Sequence, residues 1–252
     1  VITGELLPNQ VTATSDIYSL NLRFEDKPIP FDNSRISFND HKIFSSGENP
    51  LTLSGWLDMT NLSLPDMNLS LYGQNFTLMN APRTRKSLVF GRMDGDIFAR
   101  VHGNPNDISI RGMVKLLPTT DMTYIMANTP LSVDYRLSDI VTFVDFNQPP
   151  DESEERERPV YTNTEMLDNL IADNGAKFHC EFSADRQSYV DVAGEGSFNL
   201  TYTPAGTLSL IGRYTIDQGK MKYTLPVIPL KTFNIHNGSY IEFTGEPMNP
   251  TL

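Results

Sequence analysis

The pair most suggestive of chemistry is His179-Cys180, a thiol beside a base, the raw material of a cysteine nucleophile. Strand alternation separates the two. Cys180 is in phase with Phe178 and Phe182 on an inward face while His179 points the other way, so the thiol reads as core packing. The four histidines, His41, His102, His179 and His236, lie far apart without metal-ligand spacing, and no zinc site is expected. Asp94-Gly95-Asp96 has the start of a calcium loop but lacks the later oxygen ligands and the glutamate, and is assigned to a hairpin turn. The acidic cluster over 151–157 reads as a solvated loop. Five Asn-x-Ser/Thr sequons, at Asn61, Asn68, Asn75, Asn199 and Asn237, are a mark of glycosylated secretory proteins, but they arise readily in a chain this rich in Asn, Ser and Thr. The chain has no phosphate-cradling glycine loop, no nucleophile elbow and no carboxylate pair set for general acid–base work. No catalytic residue, cofactor or metal is assigned.

With catalysis unsupported, bulk properties bound the remaining classes. The 252 residues suffice for one large all-β domain or two ordinary ones. With 31 acidic against 20 basic residues the net charge is -11, which supplies no basic field for nucleic acid and none for docking on anionic lipid heads. The lone cysteine excludes an internal disulfide framework and a multi-thiolate metal site, and leaves the compartment open. No apolar run approaches the roughly 18 residues of a transmembrane helix. Opening on Val1 and closing in mid-pattern on "MNPTL", the chain reads as a piece of a longer protein, with any membrane anchor outside it.

The elements that must position any binding surface announce themselves as a repeat, apolar-x-apolar-x-Gly. It occurs as "LTLSG" (51–55), "LSLYG" (69–73), "ARVHG" (99–103), "ISIRG" (108–112), "VDVAG" (190–194), "LSLIG" (208–212) and "IEFTG" (241–245). In several copies the alternation continues past the glycine, as in Ile108, Ile110, Gly112, Val114 and Leu116 or Leu208, Leu210, Gly212, Tyr214 and Ile216, so the glycine sits on the apolar face itself. Pairing 194–202 with 208–216 across "TPAGT" sets Tyr202 opposite Leu208, Leu200 opposite Leu210, Phe198 opposite Gly212 and Gly196 opposite Tyr214. Each glycine then faces an aromatic ring that covers bare backbone while the sheet bends. Turns at Gln218-Gly219 and Asp94-Gly95 extend the pattern into two meanders, near 88–116 and 194–225, and "NPND" sets Val101 against Ile110. In "KTFNIHNGSYIEFTG" a three-residue hairpin loop, Asn237 to Ser239, keeps Phe233, Ile235, Ile241 and Phe243 on one face.

Two segments break the pattern. "NQPPDESEERERP" joins prolines to a mixed-charge run and reads as an exposed flexible loop, dividing the chain into 1–146, a loop over 147–160, and 161–252, along one continuous groove. Over 163–175, Met166, Leu167, Leu170 and Ile171 fall at helical spacing between a Thr164 cap and Gly175, which predicts a short helix. A strand leading into Phe178, Cys180 and Phe182 is the alternative.

The C-terminal third, with "GEGSF", then "LIGRYTIDQGKMKY", then "FNIHNGSYIEFTGEPMNPTL", closely resembles the C-terminal domain of the TamB family, and "GRMDGDIFARVHGNPNDISIRGMV" is similar to that family's repeats. The resemblance implies an AsmA-like bridge architecture: an inner-membrane anchor elsewhere, then an elongated periplasmic β-taco of curved antiparallel meanders with an apolar concave face. It implies a non-enzymatic part in outer-membrane biogenesis, with phospholipid acyl chains and a BamA/TamA-type barrel assembler as partners. Within that architecture, strand phase alone nominates as groove-lining Ile108, Ile110, Val114, Leu116, Phe198, Leu200, Leu208, Leu210, Tyr214, Ile216, Phe233, Ile235, Ile241 and Phe243. Two rival readings are a filled β-solenoid that scaffolds a protein partner, and an extracellular solenoid that binds carbohydrate. The second would need a surface row of aromatics and carboxylates, which the sequence does not display.

Overall fold

The structure, a computed structural model, describes residues 3–15, 19–126, 163–182, 187–223, 231–247 and 249–251. Every regular element among them is a β-strand, as the period-two patterning requires. Four short strands come first: β1 (Gly4–Leu6), β2 (Thr12–Ser15), β3 (Leu20–Phe24) and β4 (Ile29–Asp32). β5 (Arg35–Phe44) and β6 (Leu51–Asp58) lead to the long β7 (Asp66–Ala81) and β8 (Val89–Asn104). β9 (Asp107–Leu116) and β10 (Asp121–Ile125) precede β11 (Asn163–Glu181), β12 (Tyr189–Tyr202) and β13 (Leu208–Tyr223). β14 (Lys231–Ile235) and β15 (Ser239–Gly245) finish the chain.

All fifteen strands belong to one sheet. From β4 to β9 each strand pairs with the next, and β11, β12 and β13 do likewise. Between these runs β9 and β10 lie end to end in the slot between β8 and β11, antiparallel to the first and parallel to the second. Four strands thus close a circuit of pairings around residues 117–120. The parallel ladder is a departure from the antiparallel meanders expected, and it merges the two expected meanders into a single sheet. The loop assigned to 147–160 lies outside the described residues.

At the other end the sheet curls. The β2–β3 hairpin leaves β5 through only two paired positions, Arg23–Phe44 and Phe24–Ile43. Its Leu22 and Phe24 then pack onto the cluster of Ile43, Leu51, Leu53 and Phe76. The Ser19 hydroxyl reaches the start of β8, donating to the Val89 carbonyl at 2.9 Å. This strand therefore lies across β5 to β8 and covers their apolar side, giving the N-terminal half a barrel-like closure.

Three local expectations are corrected. Gln218-Gly219 and Asp94-Gly95 are not turns: β13 and β8 run straight through them as 16-residue strands. A turn at either place would forfeit ladder bonds on both edges, since Gly219 pairs with Val192 and Ile235 and Gly95 pairs with Phe76 and Leu116. Asn237 to Ser239 is not a hairpin loop. β14 and β15 run in the same direction, both antiparallel to β13, and residues 236–238 form a bulge between them. The Gly238 amide donates to the Ile216 carbonyl at 2.9 Å there, so the four apolar residues share a face without a chain reversal. Finally, 163–175 is not a helix but the first two thirds of β11. A lone ten-residue amphipathic helix has little stability of its own, whereas this segment finds ladder partners on both edges. The cross-strand pairs read from the sequence between β12 and β13, and Val101 with Ile110, are all present.

The irregularities line up. The 117–120 insert, the β11 shift between Ala172 and Ala176, the β12–β13 shift at Ala193/Gly194 and the 236–238 bulge occupy one level of successive strands. Bulges in register add twist at one place, so they crease the sheet across its strands.

Candidate functional site

Side chains directly opposite each other on paired strands stand on the same side of a sheet, so the register defines its faces without reference to shape. One row runs His41, Leu53, Leu71, Ala99, Gly112, Asp168, Leu200, Leu210, Gly245 across nine strands. Flanking rows are Gly55, Leu69, Val101, Ile110, Met166, Tyr202, Leu208 on one side and Gly73, Ile97, Val114, Leu170, Phe198, Gly212, Phe243 on the other. Next come Gly95, Leu116, Ala172, Gly196, Tyr214, Ile241, and beyond the crease Phe178, Val192, Gly219, Ile235 and Cys180, Val190, Met221, Phe233. With Ile108 opposite Gly103 and Ile216 opposite Gly194, the fourteen nominated residues occupy one continuous face.

Burial along this face is graded. At the crease Ile216, Tyr214 and Phe198 are 3–8% exposed and pack with Ala172, Ala176 and Val192, and Leu116, 6% exposed, stands opposite Ala172. Rings meet edge to face there, Phe178 on Tyr214 at 5.6 Å and Phe198 on Phe243 at 5.8 Å. The Tyr214 hydroxyl donates to the Ala176 carbonyl at 3.2 Å, and burial, with Asp217 adding, pushes its ionisation above the usual phenol range. Leu210, Ile235, Ile241 and Phe243 pack half-buried against this waist, Ile108, Ile110, Val114 and Leu200 are half-buried away from it, and Leu208 is 44% and Phe233 53% exposed. The apolar face is thus packed at the middle and open toward both strand ends.

The glycines explain how rings lie flat on this face. A Cβ on Gly212, whose φ is +154°, would meet the Ser197 carbonyl oxygen at 2.1 Å and the Phe198 ring at 3.0 Å. On Gly196 it would meet both Phe198 and Tyr214 at 3.0 Å. The aromatics therefore occupy the space the glycines vacate, as the sequence pairing anticipates.

Cys180 stands on the apolar face beside Phe178, and burial, with the Glu181 charge adding, pushes its thiol up to about 11. His179 is on the opposite face, bonded through Nδ1 to Asp191 and packed on the Tyr189 ring at 5.0 Å. The pair is thus split between two faces and forms no nucleophile–base couple. Glu181, 6% exposed, takes both oxygens to Arg83 Nη1 at 2.8 Å and ties β11 to the turn before β8. Asp94 is fully buried. Burial opposes its ionisation, but Arg92 Nε at 2.6 Å and the Thr119 and Thr77 hydroxyls, each at 2.7 Å, outweigh that and hold its carboxyl below the usual range. The "DGD" stretch is therefore an anchor for the 117–120 insert.

The other face is mixed: polar and charged side chains stand among exposed apolar ones, Tyr72, Phe98, Met113 and Ile211 in a single row. Two depressions open on it, one of about 900 Å³ lined by Asn68, Arg100, His102, Arg111, Met113 and Asn169, and one of about 440 Å³ near His179, Asp191 and Lys220. Three of the cations lining them are engaged: Arg100 lies over Phe98 at 5.3 Å, Arg111 is 3.9 Å from Glu165, and Lys220 is 3.4 Å from Asp191.

Sequence reasoning missed Asp168. Helical spacing hid the phase Thr164, Met166, Asp168, Leu170, which places a carboxylate in the middle of the apolar face. The available signal was the strand alternative for this segment, in which an acidic residue falls at an apolar position.

A family model described as the TamB C-terminal domain matches residues 38–252, most of the chain. No curated protein and no solved structure matches it.

Proposed function

Because this chain belongs to the TamB C-terminal-domain family, a periplasmic, membrane-associated and non-enzymatic family of outer-membrane biogenesis, we propose that its apolar face shelters phospholipid acyl chains in transit between the two membranes. The observation that carries this reading is the register, which continues the apolar face past the part of β5 to β8 that β3 covers and gathers apolar residues from β9 to β15 into a stretch whose ends stay half-exposed. Apolar surface on that scale stays wet unless something covers it, and each methylene buried there contributes about 0.8 kcal/mol. Head groups ride at the rim, so an exterior of net charge -11 is no obstacle. No residue is assigned a catalytic role. No helix among the described residues is long and apolar enough to cross a membrane, and the proposal places the inner-membrane anchor outside this segment.

A second reading, strand-mediated engagement of a BamA/TamA-type barrel assembler, draws on one feature. The outer edge of β15 already pairs with extended backbone at one position, where Glu242 and the chain's own Thr251 exchange two backbone bonds of 2.8 Å. Native mass spectrometry of the purified chain with lipid extraction separates the readings when Leu210→Asp is compared with Ile211→Asp. Leu210 lies on the apolar face, and Ile211, 53% exposed, lies on the other. Lipid lost only with Leu210→Asp supports the conduit. Its absence from the unaltered chain, with a barrel protein retained, supports the scaffold.

A further inference from the structure

Resting on the acyl-chain reading, we propose that Asp168 makes the centre of the apolar face a subsite for the primary ammonium group of an amphiphile whose chain lies along the neighbouring rows. On this face Asp168 is flanked by Gly112 and Leu200 across the strands and by Met166 and Leu170 along its own. The diagonal positions are Ile110, Val114, Phe198 and Tyr202. None of these carries a positive charge, and Tyr202 is the one titratable neighbour among them. The next ionisable group in the same row is His41 on β5, five strands away and roughly 24 Å at the usual strand spacing. The nearby charges Arg111, Lys115, Glu165 and Asp173 are paired with one another, Arg111 with Glu165 and Lys115 with Asp173.

Oδ1 of Asp168 is buried without a hydrogen-bond partner, lodged in the notch that Gly112 leaves: a Cβ there would approach it to 3.0 Å. Burial raises this carboxyl's affinity for its proton against the opposing pull of the Asn169 amide. An acid placed on an apolar face without a protein cation is completed by a ligand that brings one. A neutral chain gains nothing from it, and an anionic head is repelled.

The probes are dodecylammonium and dodecanol, equal chains differing in the head, each titrated into the whole chain below its self-association concentration. The expected result is a preference of roughly tenfold for the ammonium, the worth of one charged hydrogen bond. Asp168→Asn brings the ratio to about one and leaves dodecanol binding in place. Glu165→Gln, which removes an exposed carboxylate from the other face of the same strand, keeps the preference and so controls for the chain's overall negative charge. In the unaltered chain the preference disappears as pH falls through the raised Asp168 ionisation, an arm that needs no variant. Equal binding of both probes, or a preference that survives Asp168→Asn, overturns the subsite and leaves the acyl-chain reading standing. Failure of both probes to bind overturns the acyl-chain reading, and the subsite with it.

Discussion

Replacing Gly212 by alanine tests the packing logic of the apolar face at its densest point. The residue sits at φ +154°, a conformation that non-glycine residues reach at a strain of about 1–3 kcal/mol. Its new methyl would also lie 2.1 Å from the Ser197 carbonyl oxygen and 2.8 Å from the Phe198 Cα, both backbone atoms that cannot turn aside. Relieving such a contact costs about 1–3 kcal/mol more. Together the two terms predict a loss of roughly 2–6 kcal/mol, which in a domain of this size lowers Tm by roughly 4–24 °C. Gly245→Ala separates them: its φ is +141°, but its methyl meets nothing nearer than Ser209 Oγ at 3.8 Å, so only the strain applies. Thermal unfolding followed by far-UV circular dichroism reads both variants. Equal Tm for the two would refute the claim that ring-covered glycines hold this face together.

Opposite pH signatures are expected from two aspartates. Asp94 has a lowered folded ionisation, so it contributes stability above the ordinary value of 3.8 and loses it as pH falls through its lower one; Asp94→Asn drops Tm at pH 7, and the gap to the unaltered chain narrows in strong acid. Asp168 is raised, so its ionised form weakens the fold as pH climbs from the ordinary value through the raised one; Asp168→Asn increases Tm at pH 7 and changes nothing well below pH 3.8. Breaking the Arg83–Glu181 pair with Arg83→Met leaves a buried carboxylate with His179 Nε2, 3.7 Å away, as its remaining basic neighbour, and costs about 2–3 kcal/mol in a urea melt, discounted for the part-exposed arginine. Cys180, with its thiol held near 11, stays unmodified by iodoacetamide at pH 8 until urea unfolds the chain, which mass spectrometry detects directly.

What the sequence made legible was whatever strand alternation encodes. The β12–β13 register, the shared face of Ile108, Ile110, Leu208 and Leu210, and the ring-over-glycine pairs follow from a period of two and one loop length. Local turn chemistry misled at Asp94-Gly95, Gln218-Gly219 and Asn237-Gly238, because a dipeptide's preference for a turn is worth less than the ladder bonds of strands already paired on both sides. The helical spacing of Met166, Leu167, Leu170 and Ile171 failed for a related reason. The partners that make the segment a strand, β9 and β12, lie 56 and 24–36 residues away in the chain, beyond any window over which periodicity is judged. Asp168 was lost with that segment, and so was the parallel ladder that fuses the two halves of the sheet.

Site-specific photocrosslinking from Leu210 and from Ser209, in cells making the protein, tests the central claim most directly, since adjacent residues of β13 present the same probe to opposite faces. Phospholipid captured from Leu210 and none from Ser209 is the expected result. Lipid captured equally from both, or a barrel protein captured from Leu210 with no lipid, would contradict it.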